Sequence, residues 1–483
     1  MRHFPSLATL LLAGTSLFAF SASAQQVAPA PAAAAAAVAA SGAALTAAQG
    51  TAYPATVEGH VALPAASFVP TPADAPADLA TSGKYTSANR VRNDQVGSVP
   101  AVSVLSDKEA PRATGLNLPF KGQPVQGFSG IVNEGDGRFL ILTDNGFGSK
   151  ANSSDAMLMF HRISMDFKAG SITRTDTFFL RDPDRKVMFP IAMEGTTTRY
   201  LTGADFDIES IQVAGDSVWF GDEFGPFLVE TDATGKVKAV HETKVDGKVV
   251  RSPDHPNVTT PGAPGGKVAF EVFRSKGFEG MALSPDKTKL YAMLEGPLGT
   301  ADGAKEADGG VEYLRVLEFD IPSRQWTGRF WKYPLAVAGN AIGDFNMIDA
   351  NTALVIERDN LEGTKAAACP AGKVEPTCFS KPAQFKRVYK VEFSPEAAGQ
   401  TMRKVGYIDL MAMKDPNGKA KQGASGGTLD FPFFTIEDVV VVDPTHIVVG
   451  NDNNLPYSAG RQPQKADDNE FVLLEVGEFL KAK

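Results

Sequence analysis

From about residue 112 onward, short apolar runs alternate with clusters of Gly, Pro, Asp and Asn. The runs include Arg138-Phe139-Leu140-Ile141-Leu142-Thr143, Ser217-Val218-Trp219-Phe220, Lys289-Leu290-Tyr291-Ala292-Met293, Thr352-Ala353-Leu354-Val355-Ile356 and His446-Ile447-Val448-Val449. Their length and their β-branched and aromatic content predict strands. A turn signal precedes each, as in Glu134-Gly135-Asp136-Gly137, Ala214-Gly215-Asp216 and Asp443-Pro444-Thr445. Alternating runs follow, such as Leu314-Arg315-Val316-Leu317-Glu318-Phe319-Asp320. Sustained helical periodicity is hard to find, so the pattern predicts strand, tight turn, strand, repeated.

Two phrases flank each hairpin. The first reads Gly127-Phe128-Ser129-Gly130-Ile131, then Asp207-Ile208-Glu209-Ser210-Ile211, then Gly277-Phe278-Glu279-Gly280-Met281. It returns loosely as Ile342-Gly343-Asp344-Phe345-Asn346 and finally as Thr435-Ile436-Glu437-Asp438-Val439. The second phrase follows the strand: Thr143-Asp144-Asn145-Gly146, Gly221-Asp222-Glu223-Phe224, Leu294-Glu295-Gly296, Glu357-Arg358-Asp359-Asn360 and Asn451-Asp452-Asn453-Asn454. The irregular spacing, roughly 65 to 95 residues, suits propeller blades with long loops better than a short-period solenoid. The expectation is an all-β chain forming a β-propeller of about six blades, with five to seven compatible. The long gap from Glu357 to Glu437 leaves room for a further blade. In such a fold equivalent positions converge on the central channel, so the recurring acids are expected at one place.

Before residue 112 the texture differs. Arg2 and His3, an apolar stretch from Leu7 to Phe20, and Ala22-Ser23-Ala24 have the layout of a signal peptide cleaved after Ala24. Residues 25–111 are rich in Ala and Pro and read as a largely flexible spacer. Within it, 57–63 and 98–105 are candidate short strands, the second a candidate for closing the propeller against the C-terminus. The propeller domain is then 112–483. No later run is apolar and long enough to span a bilayer, and a periplasmic or secreted location follows. In that compartment Cys369 and Cys378 are expected to form a disulfide, two unpaired loop thiols being the alternative. The net charge of −9 is mild for 483 residues, and no basic block stands out. Nucleic-acid binding therefore has little support.

The ordered phrases around Phe128-Ser129-Gly130-Ile131, Asp207-Ile208-Glu209-Ser210, Gly221-Asp222-Glu223-Phe224, Gly277-Phe278-Glu279-Gly280-Met281 and Ile436-Glu437-Asp438 resemble the family described as "esterase-like activity of phytase". The resemblance runs over about residues 115 to 475. It implies a β-propeller related to calcium-dependent alkaline phytases, with an exported hydrolase role. It brings no assigned nucleophile.

The chemistry expected of the centre comes from its carboxylates. Clustered acids ionise together only when a cation or an Arg neutralises them, and hard oxygen ligands suit Ca²⁺ or Mg²⁺. The absence of Cys and scarcity of His in the phrases argue against zinc. Glu209, Glu223, Glu279 and Arg358 are the candidate catalytic residues. Arg358, Asn145 and Asn453 are candidate substrate contacts. Asp144, Asp222, Glu295, Glu437 and Asp452 are candidate ligands for Ca²⁺. Acids at strand ends also commonly satisfy backbone N–H groups, which is the competing role for each. The expected partner is a small anionic or ester substrate, and the expected state a monomer. Two rival functions fit the same acids: a calcium-dependent lactonase-like propeller, and a non-catalytic binding propeller stapled by a metal. Gly423-Ala424-Ser425-Gly426-Gly427 matches a serine-hydrolase pattern, but lacks the strand before and helix after that the mechanism needs. A flexible loop is expected there.

Overall fold

The computed structural model describes residues 50–87, 90–103, 110–300 and 303–483. The signal peptide and the first part of the spacer lie outside the described residues. Among the described residues the strands assemble into five four-stranded antiparallel blades. The innermost strands are Phe128–Gly135, Ile208–Ala214, Phe278–Leu283, Ala341–Met347 and Asp438–Asp443. These carry the first phrases. Each pairs with a second strand that leads into the second phrase: Arg138–Thr143, Ser217–Asp222, Lys289–Leu294, Thr352–Arg358 and His446–Gly450. The all-β propeller expectation holds. The count is five, the low end of the expected range. The gap after Glu357 holds the two outer strands of the fourth blade, Lys386–Glu392 and Arg403–Asp409, plus loops.

Blades stack because each presents apolar side chains on both faces of its sheet. Leu140, Phe160, Ile211 and Phe220 fill the space between blades one and two. Trp219, Met281 and Leu290 fill the next, and Met293, Trp331, Phe345 and Tyr389 the third. Ile356 and Val388 meet Val439 and Ile447 between blades four and five. Phe128 and Ile141 meet Val448 and Phe471 between five and one. Five inter-blade cores in a closed circle leave no open sheet face. Each fully buried side chain of this size contributes about 1.5–3 kcal/mol.

Closure differs from the expectation. Thr56–Leu63, read as part of the spacer, is the outer strand of blade five and pairs antiparallel with Asn469–Glu475. A bulge at Glu58 sends Val57 and Val61 to opposite faces, and both are completely buried, one in each flanking inter-blade core. His60 is also buried, its Nε2 3.0 Å from Glu470 and its Nδ1 accepting from the Lys421 N–H at 3.0 Å. Just before it, Thr51–Tyr53 adds a parallel edge strand to blade four. The N-terminal segment thus straps the last two blades together. The other candidate, Val99–Ser103, pairs instead with Arg112–Leu118. Both candidate stretches contain strands, but the short periodicity of an eight-residue strand does not reveal which of them finds a partner at the other end of the propeller. Cys369 and Cys378 form a disulfide. Ser425 lies in a small hairpin, Ala424–Ser425 against Thr428–Leu429. Gly426 and Gly427 turn that hairpin at positive φ, 59° and 75°, so its glycines serve a turn and Ser425 is exposed.

The inner strands approach one another closely. A Cβ on Gly343 would lie 2.1 Å from the Ile436 carbonyl oxygen of the next blade. Gly343→Ala is expected to lower stability by about 1–3 kcal/mol through overpacking, read as a lower urea midpoint. Gly195→Ala, where nothing lies within 4 Å of the added carbon, should leave the midpoint unchanged. Equal midpoints for both variants would refute tight axial packing.

Candidate active site and cation centre

A β-bulge recurs at the start of the inner hairpins. Ile208 pairs with Asp222 and Ser210 with the adjacent Gly221, so Glu209 is an extra residue. Phe278 and Gly280 pair with Leu294 and Met293 in the same way, leaving Glu279 extra. Blades one and four shift register at the equivalent place. In blade five the Glu437 N–H donates to the Gly450 carbonyl while Asp438 pairs with the same residue. A bulge re-aims the side chain it carries, and here Glu209, Glu279 and Glu437 line a single axial cavity of about 260 Å³.

The second phrases supply a second tier. The N–H groups of Asp144, Glu223 and Glu295 donate to the carbonyls of Gly127, Asp207 and Gly277 respectively, which makes these three acids structurally equivalent. Arg358, paired with Ala341, and Asp452, beside Thr435, take the corresponding places in blades four and five. All five line the cavity, with Asp207 and Lys276 beside them. Below, amides close the channel: Gln212 donates to Asn346 Oδ1 at 2.8 Å and to the Met281 carbonyl at 2.7 Å, and Asn346 donates to the Val439 carbonyl at 2.9 Å. The cavity therefore opens at one end.

Its charge is asymmetric. Eight carboxylates line it, Asp144, Asp207, Glu209, Glu223, Glu279, Glu295, Glu437 and Asp452, against two cations, Lys276 and Arg358. Both cations sit on one side. Lys276 pairs with Glu295. Arg358 donates to Glu437 at 2.9 Å and lies 3.7 Å from Glu295 and 3.9 Å from Glu279. Burial opposes ionisation of Glu295, but Lys276 and Arg358 outweigh it and hold the carboxyl below its ordinary value. On the other side nothing compensates. Burial, then the Asp207 charge, raises Asp144 to about 8. Burial raises Asp207 to about 6, against the hydrogen bond that Asn145 donates to its Oδ2 at 2.8 Å. Burial and neighbouring carboxylates raise Glu209, Glu223 and Asp452 well above the ordinary range.

Two carboxylate triads have oxygens within 4.8 Å of one another, Asp207–Glu209–Glu223 and Glu223–Glu279–Glu295. Clustered buried carboxylates of this kind could hold a metal ion. The first triad fits one by a further observation: Asp207 is 4% exposed, and its Oδ1 is buried without a hydrogen-bond partner. The donor set is all oxygen, which suits Ca²⁺ or Mg²⁺.

Most of the candidate residues from the sequence meet here: Asp144, Asn145, Glu209, Glu223, Glu279, Glu295, Arg358, Glu437 and Asp452. Two do not. Asp222 is fully buried and accepts from the backbone N–H groups of Asp207 at 2.8 Å and Gly225 at 2.7 Å, so it shapes the loop that carries Glu223. Asn453 is likewise turned into the structure, accepting from the Gly127 N–H at 3.1 Å and donating to the Asp467 carbonyl at 3.1 Å. Glu357 is tied to Tyr333, Asn340 and Lys404. Two charged lining residues, Asp207 and Lys276, were not among the candidates. Asp207 opens its own first phrase, and that repeat position was the signal available. Lys276 ends a long loop without periodicity.

Fold and site together define a five-bladed propeller with an acidic, single-mouthed axial cavity. The family model described as esterase-like activity of phytase matches residues 123–455, and the chain belongs to that family. Among solved structures it is similar to a luciferin-regenerating enzyme, at 11% identity over 81% of this chain and 92% of that one with a TM-score of 0.32. The Dos1 propeller matches at 11% identity over 76% of this chain and 72% of that one, TM-score 0.29. The PQQ-bound aldose sugar dehydrogenase of Streptomyces coelicolor matches at 12% identity over 73% and 94%, TM-score 0.29. No curated protein matches the chain.

The raised carboxyls make stability depend on pH. Asp144, Asp207 and Asp222 start from 3.8 and reach about 8, 6 and 7 in the folded chain. Between those values the folded chain keeps protons that the unfolded chain has lost. Stability therefore falls as pH rises through that window. In chelator the melting temperature is expected to drop from about pH 5 to about pH 8, and calcium to raise it more at the upper end, where protons compete less for the ligands. A melting temperature rising with pH in chelator would contradict the assignment.

Proposed function

We propose that the protein is an exported hydrolase of esters or phosphoesters that works with calcium at the acidic mouth of the propeller. The observation that carries this reading is the unpartnered Asp207 Oδ1 within the Asp207–Glu209–Glu223 triad. Uncompensated buried carboxylates are costly, by several kcal/mol per ion, and a divalent cation is the simplest group to offset them. Family membership supports the hydrolytic class, and the disulfide suits export.

Asp207, Glu209 and Glu223 would hold the ion. Calcium there would act as a Lewis acid on a carbonyl or phosphoryl oxygen. Asp144 is the proton acceptor in this reading. Gln126 and the Gly146 N–H donate to its Oδ1 at 2.8 and 2.7 Å, fixing its orientation beside the cavity. Held in that orientation at the cavity wall, its carboxylate is placed to take a proton from an attacking water. Arg358 and Lys276 form the positive side and would stabilise charge developing on the substrate. Glu279, Glu437 and Asp452 complete the wall.

The reading is tested by a hydrolysis panel on the mature chain: p-nitrophenyl esters, p-nitrophenyl phosphate, phytate and a lactone, with chelator and after calcium is restored. Turnover should vanish with chelator and return with calcium. Turnover of the lactone alone would favour a lactonase, and a calcium-dependent melting temperature without turnover of any substrate would favour a binding propeller. Asp144→Asn is expected to lower kcat by about 10²–10⁴-fold with the calcium isotherm little changed. Glu209→Gln is expected to weaken calcium binding itself. Equal effects of the two variants on the isotherm would remove the separate role of Asp144.

A further inference from the structure

The two triads share Glu223, a layout that offers places for two cations side by side. Their surroundings differ. The first contains the unpartnered Asp207 Oδ1, and Lys276 bears on it only through the shared Glu223. The second contains Glu295, which already pairs with Lys276 and lies 3.7 Å from Arg358.

Lys276 is placed there by two independent features. Ser275, immediately before it, adopts a positive φ of 50°, which is unfavourable for a side-chain-bearing residue and re-aims the chain into the cavity. Gly296, immediately after Glu295, leaves room for the lysine stem: a Cβ there would lie 2.8 Å from Lys276 Cβ and 3.0 Å from both Cγ and Cδ. Burial works against the ammonium charge, but Glu295, Glu223 and Glu279, the three members of the second triad, outweigh it and raise the lysine. The side chain remains 39% exposed at the mouth.

We infer that Lys276 is a built-in cation occupying the second metal position, so that the centre takes one divalent ion and not two. The inference rests on the proposed calcium site in the first triad. A second divalent ion at Glu223–Glu279–Glu295 would meet the ammonium of Lys276 and the guanidinium of Arg358 together, and like charges in a buried site repel strongly. Removing the lysine charge vacates the position the ammonium holds and leaves Arg358, 3.7 Å from Glu295 and 3.9 Å from Glu279, as the basic neighbour of the second triad. Lys276 thereby sets the metal stoichiometry and supplies a fixed positive charge that chelation cannot remove.

The test is calcium chloride titrated calorimetrically into the chelator-stripped full chain, with no substrate present. The wild type should bind one equivalent at the axial centre, Lys276→Arg one, and Lys276→Met two. Lys276→Gln serves as a second neutral variant should the Met variant fail to fold, folding being checked by the β-sheet circular dichroism band. Glu209→Gln in the Lys276→Met background should abolish the first equivalent and keep the second. Two equivalents in the wild type, or one in the neutral variants, would overturn the inference while leaving the calcium site standing. No calcium binding by the wild type would instead overturn the calcium site on which it rests.

Discussion

Five inner strands meet around one axis, and the closeness of that meeting governs the rest. Small residues stand where neighbouring strands touch, as Gly130 does against Ser210 and Ile211, and Gly280 against Gly343 and Phe345. A strand so crowded cannot also present a long side chain in regular register. The bulge resolves the conflict: one extra residue turns out of the ladder and into the only open space, the axis. Acidity at the centre is therefore a product of packing as much as of sequence. Without the tight ring there would be no bulge tier, and without the bulges Glu209 and Glu279 would compete with the inter-blade cores for the same volume.

The same geometry explains why the acids differ from one another. Equivalent positions in five blades would give a symmetric site, yet blade four departs from the pattern by placing Gly343 on the lower tier and Arg358 on the upper. That departure puts the ion pairs of Arg358 on one side of the cavity, while burial and neighbouring carboxylates raise Asp144 on the other. A repeat fold acquires chemistry where one repeat breaks the rule. The burial that raises Asp144 and the guanidinium paired with Glu437 sit within one cavity.

Much of this was legible in the chain. The hairpins announced themselves through five turn signals and five apolar runs, and the acids through their place relative to those runs. What sequence could not resolve was direction. Asp222 and Glu223 are adjacent and both acidic, but neighbouring positions of a strand end point to opposite sides, so one shapes a loop and the other lines the cavity. The same ambiguity separated Asn145 from Asn453. Lys276 was illegible because its position depends on the conformation of Ser275 and on the space left by Gly296, neither of which has a periodic signature. The stretch 57–63 was a candidate strand, but its closing role was missed for a different reason: its partner Asn469–Glu475 lies far along the chain.

That last feature has a bearing on how the protein is made. The strand Thr56–Leu63 is synthesised well before its partner Asn469–Glu475. Local hairpins can form as they emerge, but the circle cannot be completed until nearly the whole polypeptide is present, a high contact-order step that is intrinsically slow. Until then the last blade lacks its outer strand and leaves an unpaired sheet edge open to other chains. Because the cavity draws residues from every blade, a partly assembled molecule lacks a complete cavity, and the fifth blade is whole only when Thr56–Leu63 has paired with Asn469–Glu475.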